Sequence, residues 1–217
     1  MPLSSRASIG REDFVVTSCN VQAVAFVDSW PSWPVGAVAI FGPAGSGKTH
    51  LASIWQAASD ARFLPASDLG QRAVSIGPLI VENIDRSPPT PERDMELFRL
   101  IDLATPASPL LLTGNETPST WPTALPDLAS RFSALLSLPL WAPDEELLSA
   151  LARKLLDDRQ VVVSDAVIER VVHSLERSPN AIHHFIAKAD AKALAEARPI
   201  NLALVRDLVA EESDGLS

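Results

Sequence analysis

The sequence contains a single cysteine, Cys19, among its 217 residues. One thiol cannot form an internal disulfide, and it has no partner for a metal site, so the chain fits a reducing compartment. Also missing is any stretch approaching the roughly 18 unbroken apolar residues that a membrane-spanning helix requires. Residues 1–11 have no apolar core of the kind that a signal peptide carries. We therefore expect a cytoplasmic protein without a membrane segment.

Positive charge is scarce as well. The chain has 18 Lys and Arg residues against 27 Asp and Glu residues, and its formal net charge at pH 7 is −9. A protein that binds DNA by itself normally has an excess of basic residues, because neutralised phosphates supply much of the affinity. No basic run replaces that excess here. We expect no direct, tight DNA binding, and a protein partner fits the composition better.

Short apolar segments alternate with helical ones up to residue 140. The predicted strands are 37–41, 62–65, 78–84, 109–113 and 134–140. A helix at 20–28, with Asn20 as its cap, precedes them, and the helices between them include 49–59 and 92–104. This alternation implies parallel strand pairing through right-handed crossovers. The predicted fold class is α/β, a three-layer α/β/α sandwich with a parallel sheet.

The pattern changes after Trp141, where strand candidates stop. Acidic residues after Pro143 indicate a helix start, because their charge is favourable at the positive end of a helix dipole. Further helices are predicted near 165–176, 179–197 and 201–211. We therefore predict a flexible N-terminal segment (1–12), an α/β nucleotide-binding base (13–141) and a small all-α lid (142–217).

Residues 42–49 match the phosphate-loop pattern GxxxxGK(S/T) in full. Glycines in this pattern let backbone N–H groups turn inward around phosphates at a helix N-terminus. Lys48 is expected to reach the β- and γ-phosphates, and the Thr49 hydroxyl to bind Mg²⁺. The predicted cofactors are ATP or ADP, with Mg²⁺. The residues predicted to bind them are Gly42, Pro43, Ala44, Gly45, Ser46, Gly47, Lys48 and Thr49.

Acidic side chains follow the strand at 78–84. Glu82 is the predicted Mg²⁺-associated acid and Asp85 the alternative, because a strand end brings such carboxylates to the edge of a parallel sheet where the metal binds. The position after Glu82 usually holds a second acid that orients the attacking water, but here it is Asn83. An amide cannot accept a proton, so we expect the site to bind nucleotide better than it hydrolyses it. A plain role as strand caps is the alternative.

The strand at 109–113 ends in polar groups too. In P-loop ATPases of this build, the side chain at that strand tip senses the γ-phosphate, which makes Asn115 and Thr113 the sensor candidates. Gly114 and Asn115 also favour turns, and that is the competing interpretation.

The order of these motifs resembles the AAA+ module of the bacterial replication initiator DnaA, and still more the short Hda-like homologues that inactivate that initiator. The resemblance extends from Phe14 to about Val209. It implies a P-loop AAA+ base followed by a helical lid. It also implies nucleotide-contacting roles for residues outside the phosphate loop, namely Phe14, Val15 and Asn20 on the adenine side and His50 directly after the loop.

The segment DLASRF at 127–132 resembles the family's arginine-finger box. The resemblance implies that Arg131 projects into the ATP site of a neighbouring subunit, where an arginine neutralises charge developing on the transferred phosphoryl group. The alternative is a surface salt bridge. The implied partner is DnaA, through AAA+ to AAA+ contact, and a nucleotide-dependent homo-oligomer stays open. No helix-turn-helix domain follows the lid, which favours the Hda-like interpretation.

The chain departs from the family at three places. Asn83 replaces an acid, and Asn180 stands where the lid carries a sensor arginine, so we expect weak or absent intrinsic hydrolysis and a preference for resting with ADP. Hda-like proteins bind the sliding clamp through an N-terminal peptide, Q-L-x-L-P-L. Residues 1–3 match only the tail of that peptide. Either the true start lies upstream, or clamp binding is weak or absent.

The resemblance implies an ATP- or ADP-binding regulator of replication initiation, which stimulates ATP hydrolysis by DnaA through Arg131. Three other functions compete with this regulator. One is an ATP-hydrolysing AAA+ loader that acts on a helicase or sliding clamp. Another is a kinase that uses the same phosphate loop, although the lid arginines show no clustering in sequence. The last is a nucleotide-binding scaffold. Hydrolysis by the isolated protein would distinguish the loader from the regulator.

Overall fold

The computed structural model describes residues 10–71 and 77–214. The chain divides into two compact units, Met1–Ala142 and Pro143–Ser217. Most of the predicted flexible segment, together with the partial clamp-binding match at residues 1–3, lies outside the described residues. No helix in the described part is long and apolar enough to cross a membrane.

The first unit is built on a five-stranded sheet in the order β2-β3-β4-β1-β5. Its strands are β1 (Ala37–Phe41), β2 (Arg62–Pro65), β3 (Leu79–Glu82), β4 (Leu110–Gly114) and β5 (Leu136–Pro139). Every neighbouring pair is parallel. The predicted parallel sheet is confirmed, although β5 begins two residues later than predicted because the preceding helix continues to Ala134.

Helices cover both faces of this sheet. They are α1 (Val21–Asp28), α2 (Lys48–Ser59), α3 (Pro91–Leu103) and α4 (Pro126–Ala134). Alternate residues of a strand point to opposite faces. Val38 and Ile40 accordingly join a core with Leu51 of α2, whereas Ala39 joins a second core with Leu97 of α3. The predicted three-layer α/β/α sandwich is confirmed.

Three tryptophans, Trp30, Trp33 and Trp55 of α2, pack against one another in the first unit. The rings of Trp33 and Trp55 stack with centroids 4.7 Å apart and an interplanar angle of 17°. Trp30 meets the edge of Trp55 at 5.7 Å. Trp33 and Trp55 are both buried, so Trp33 anchors the largely exposed turn at 30–34 to the interior of the unit.

The second unit is helical over its described residues. Its helices are α5 (Glu145–Asp157), α6 (Asp165–Ser174), α7 (Pro179–Ala195) and α8 (Leu202–Asp214). The Asp144 carboxylate accepts a hydrogen bond from the Leu147 N–H, and the Ser178 hydroxyl accepts one from the Ala181 N–H. These bonds satisfy N–H groups that a helix start leaves unpaired, and so they fix where α5 and α7 begin.

We expect Trp55→Ala to lower the free energy of unfolding by about 3–5 kcal/mol, because it removes a fully buried ring and leaves a cavity. The matched control is Trp141→Ala, since Trp141 is 59% exposed. Its effect should stay within about 0.5 kcal/mol. Urea denaturation followed by circular dichroism measures both. Equal effects of the two substitutions would contradict this packing.

Candidate functional site

The loop at 42–47 connects β1 to the first turn of α2, and two of its glycines are sterically required. A Cβ on Gly42 would lie 1.9 Å from the Leu140 carbonyl oxygen. Gly47 has φ +97°, in the left-handed region that other residues rarely adopt. Pro43, Ala44 and Gly45 form the exposed crest of the loop. The backbone path of this loop thus depends on glycine at positions 42 and 47.

Lys48 is folded back onto this loop. Its ammonium Nζ donates to the carbonyl oxygens of Gly42, at 2.7 Å, and Pro43, at 2.9 Å. Burial lowers the pKa of Lys48, and the nearby carboxylates of Asp85 and Glu82 oppose that shift. A buried ammonium favours an anion beside it, because water no longer stabilises its charge.

The Thr49 hydroxyl donates to Glu82 Oε1 at 2.8 Å. The first turn of α2 and the end of β3 therefore bring together the two side chains predicted to hold Mg²⁺. Within residues 10–71 and 77–214, no group of three or more His, Cys, Asp or Glu side chains could hold a metal. A hydroxyl and one carboxylate nevertheless suit Mg²⁺, which usually keeps several waters and takes its other ligands from a phosphate.

Asp85 occupies a different position from Glu82. Its Oδ2 accepts hydrogen bonds from the backbone N–H groups of Asn115, at 2.7 Å, and Glu116, at 3.2 Å. This geometry favours Glu82 for the metal and makes Asp85 a support for the predicted sensor, Asn115. Thr113, the other sensor candidate, is buried and accepts from the Asn83 N–H at 3.3 Å.

Several buried polar atoms in the predicted site have no hydrogen-bond partner in the structure. They are Ser46 Oγ, His50 Nε2 and Asp85 Oδ1. Buried polar atoms are normally paired. Ser46 is in the phosphate loop, His50 follows Thr49, and Asp85 is the carboxylate that binds the Asn115 N–H. The residues therefore fit a polar ligand such as a nucleotide.

Phe14, which was predicted to lie on the adenine side, contacts His50 next to the loop. The rings of Phe14 and His50 meet edge to face with centroids 5.0 Å apart. A Cβ on Gly47 would lie 3.3 Å from the Phe14 ring. Burial lowers the pKa of His50, opposed by a hydrogen bond to the Gly10 backbone and by the charge of Asp13.

The prediction that the Asn20 side chain caps α1 is wrong. Asn20 precedes α1, but its side chain makes no cap hydrogen bond. Its Oδ1 accepts from the Thr17 N–H at 3.0 Å, and its Nδ2 donates to the Val15 carbonyl at 2.9 Å. Asn20 points toward the preceding turn because that buried backbone needs partners. It thereby holds the backbone of Val15, the residue that follows Phe14.

Arg131 lies on α4, apart from the phosphate loop. Its Nη2 donates to Asp102 Oδ1 at 2.6 Å, and its guanidinium lies 5.5 Å from the centroid of the Phe98 ring. The side chain is 47% exposed. The alternative role of Arg131, a surface salt bridge, is therefore observed, and the side chain also remains accessible to solvent. Asn180 belongs to the second unit, where it is exposed in the first turn of α7.

A buried ion pair, Arg93–Asp94, was not predicted from the sequence. The two residues stand at the start of α3, and their side chains are only 2% exposed. One signal was available. Arg93, Leu97 and Leu100 are spaced for one helix face, so a charge stands on the apolar stripe of α3.

The parallel sheet and the phosphate loop together define a P-loop α/β fold. No protein-family model matches the chain, and no curated protein matches it by sequence. Among solved structures it is similar to domain III of the replication initiation protein DnaA from Thermotoga maritima, with TM-score 0.74, 18% identity and 98% of each chain covered. The fold is thus of the DnaA type.

Two further similarities agree with that fold. AMPPCP-bound DnaA from Aquifex aeolicus has TM-score 0.72 and 17% identity, covering 83% of this chain and 64% of that one. The RuvB Holliday junction branch migration motor of Thermotoga maritima has TM-score 0.64 and 19% identity, covering 86% of this chain and 66% of that one. At these identities the likeness shows the fold alone.

The lowered pKa of His50 predicts a pH dependence of stability. The unfolded chain takes up this proton near pH 6.5, as an ordinary histidine does, whereas the folded chain takes it up only at lower pH. Stability should therefore fall as the pH drops through about 6.5, by at most about 1.4 kcal/mol per pH unit. His50→Gln should remove this part of the loss.

Urea denaturation at about pH 7.5 and about pH 5.5 measures the difference. The matched control is His184→Gln, which changes an exposed histidine of α7. It should keep the wild-type difference between the two pH values. A His50→Gln protein with that same difference would show that His50 does not contribute.

Proposed function

We propose that this chain binds ATP or ADP, with Mg²⁺, at the phosphate loop. The observation that carries the proposal is the contact between Thr49 and Glu82 at the end of a loop whose lysine is buried. Lys48 would turn from the Gly42 and Pro43 carbonyls to the phosphates, and Thr49 with Glu82 would hold the metal. Mg²⁺, when bound, neutralises charge on phosphate oxygens.

We further propose that the chain is an Hda-like regulator of replication initiation, which stimulates ATP hydrolysis by DnaA through Arg131. The DnaA-type fold and the exposed position of Arg131 support this role. Arg131 must leave Asp102 to reach a neighbour's phosphate. That step costs little, because an exposed ion pair contributes only about 0–1 kcal/mol.

The proposed regulator has little hydrolysis of its own. Asn83 follows Glu82 at the end of β3, where its amide cannot act as a base. Its backbone takes a left-handed turn with φ 59°, and its N–H is held by Thr113. The turn and this hydrogen bond fix the Asn83 backbone at the position where the family has an acid. The resting nucleotide that suits such a site is ADP.

An AAA+ loader that hydrolyses ATP is the second candidate. The observation in its favour is the likeness to the RuvB branch migration motor. It requires turnover by the isolated chain, which Asn83 opposes. Clamp binding stays a prediction, since its sequence match lies outside the described residues.

Nucleotide should stabilise the folded chain. ADP at about 100 times its dissociation constant adds about 2.7 kcal/mol to the free energy of unfolding. Lys48→Met should lose most of this gain, because it removes the ammonium without adding bulk. The matched control is Lys154→Met, which changes a lysine of α5 paired with Asp158. Thermal unfolding with and without ADP tests this. No gain in the wild type would contradict nucleotide binding.

DnaA-bound ATP should be hydrolysed faster when this chain and DNA-loaded clamp are present. Arg131→Ala should reduce the stimulated rate by about 10³-fold or more, because the arginine stabilises transition-state charge. Its ADP affinity should stay at the wild-type value. The measurement follows labelled ATP on DnaA in single turnover.

The control for this assay is Arg99→Ala, which changes an arginine of α3 paired with Glu96. It should stimulate like the wild type. Full stimulation by Arg131→Ala would exclude the finger. Turnover of free ATP by the isolated chain, with no effect on DnaA, would favour the loader.

A further inference from the structure

Burying the ion pair between Arg93 and Asp94 costs desolvation free energy. Arg93 Nη1 donates to Asp94 Oδ1 at 2.7 Å, and both side chains are 2% exposed. Taking two charges out of water often costs more than their attraction returns. Both residues are in the first turn of α3, where the helix dipole disfavours the cation and favours the carboxylate, so it gives the pair as a whole little net stabilisation. Stability alone therefore gives no reason for this pair.

The pair contacts two separate loops: Arg93 binds both of them, and Asp94 binds the second. Arg93 Nη2 donates to the Ile84 carbonyl at 2.7 Å, in the turn that also carries Asp85. Its Nη1 also donates to the Pro122 carbonyl at 3.0 Å. Asp94 Oδ2 accepts from the Thr123 hydroxyl and from the Ala124 N–H, both at 2.8 Å. The pair thus joins the turn after β3 to the segment before α4.

These bonds fasten both ends of one connecting segment, residues 115–124, which we call the strap. Its start is held by Asp85, through the N–H groups of Asn115 and Glu116. Its end is held by Asp94. In between, Trp121 Nε1 donates to the Glu116 carbonyl at 2.8 Å.

The strap continues into the helix of the proposed finger. The Trp121 ring meets the Phe132 ring edge to face, with centroids 5.2 Å apart. Phe132 is buried, and it is adjacent in sequence to Arg131. Any displacement of the strap therefore acts on the packing of α4 one residue from the finger.

We propose that Arg93 and Asp94 are positioning residues that couple the phosphate site to α4 through the strap. A nucleotide that contacts Asn115 or Asp85 acts on the start of the strap. The ion pair keeps its two ends in register, so that α4 and Arg131 become more rigid when nucleotide is bound. The coupling rests on the nucleotide binding proposed above and assigns a role to residues outside the nucleotide site.

The test measures hydrogen exchange of α4 amides in the full chain, with and without ADP and Mg²⁺. In the wild type, nucleotide should slow exchange in α4 by about threefold or more, because a more rigid segment opens less often. The double variant Arg93→Met/Asp94→Leu replaces the pair with apolar side chains of similar size. It should bind ADP within about twofold of the wild type and still protect α2, but lose the protection of α4.

A milder variant covers the case in which the double variant does not fold. Thr123→Val removes the hydroxyl bond to Asp94, together with the bond that this hydroxyl accepts from the Leu125 N–H before α4, and keeps the side-chain shape. Each variant is therefore compared with itself, with and without nucleotide. It should at least halve the effect of nucleotide on α4. The matched control is Thr120→Val, on the same strap, whose exposed hydroxyl bonds to the Thr117 carbonyl. It should behave like the wild type.

The outcomes separate the two proposals. ADP affinity is measured first by titration, and no binding to the wild type would overturn both. Binding that protects α2 but leaves wild-type α4 unchanged would overturn the coupling and keep the nucleotide site. Equal protection of α4 in the wild type and the variants would show that the pair is only structural. Loss confined to α4 in the variants supports the coupling.

Discussion

The position of β1 between β4 and β5 is the constraint on which the candidate site depends. Parallel pairing places Phe41 of β1 beside Gly114 of β4 and Pro139 of β5. The carboxyl ends of these strands therefore meet at one edge, where α/β folds bind ligands. The Gly42 N–H donates to the Gly114 carbonyl at 3.2 Å, so a hydrogen bond joins the start of the phosphate loop to the residue that precedes Asn115.

Two buried cations make this arrangement energetically costly, and each has a proposed function. Lys48 is buried where its charge is unfavourable until an anion arrives. Arg93 is buried at the wrong end of a helix and holds two loops together. Features that break local rules tend to mark functional sites. Both cations act on the same region, Lys48 from the loop and Arg93 from behind the turn that carries Asp85.

Much of the fold and part of the site could be predicted, because the signals were local. The phosphate loop is eight consecutive residues, and the parallel sheet followed from strand–helix alternation. The bonds from Asp85 to Asn115 and from Asp94 to Ala124 each span 30 residues. Such contacts depend on how the loops pack against each other, so no regular spacing of residues in the sequence indicates them. Asn20 was misassigned because one side chain can cap a helix or bind the preceding turn.

Thr49 and Glu82 are proposed to hold Mg²⁺ at one end of a nucleotide site. Titration calorimetry of ADP with and without Mg²⁺, in the wild type and in Thr49→Val, measures their contribution. We predict that Mg²⁺ tightens ADP binding to the wild type by about tenfold or more, and that Thr49→Val keeps the metal-free affinity but loses this gain. An ADP affinity that Mg²⁺ does not change, or a full gain in Thr49→Val, would contradict it.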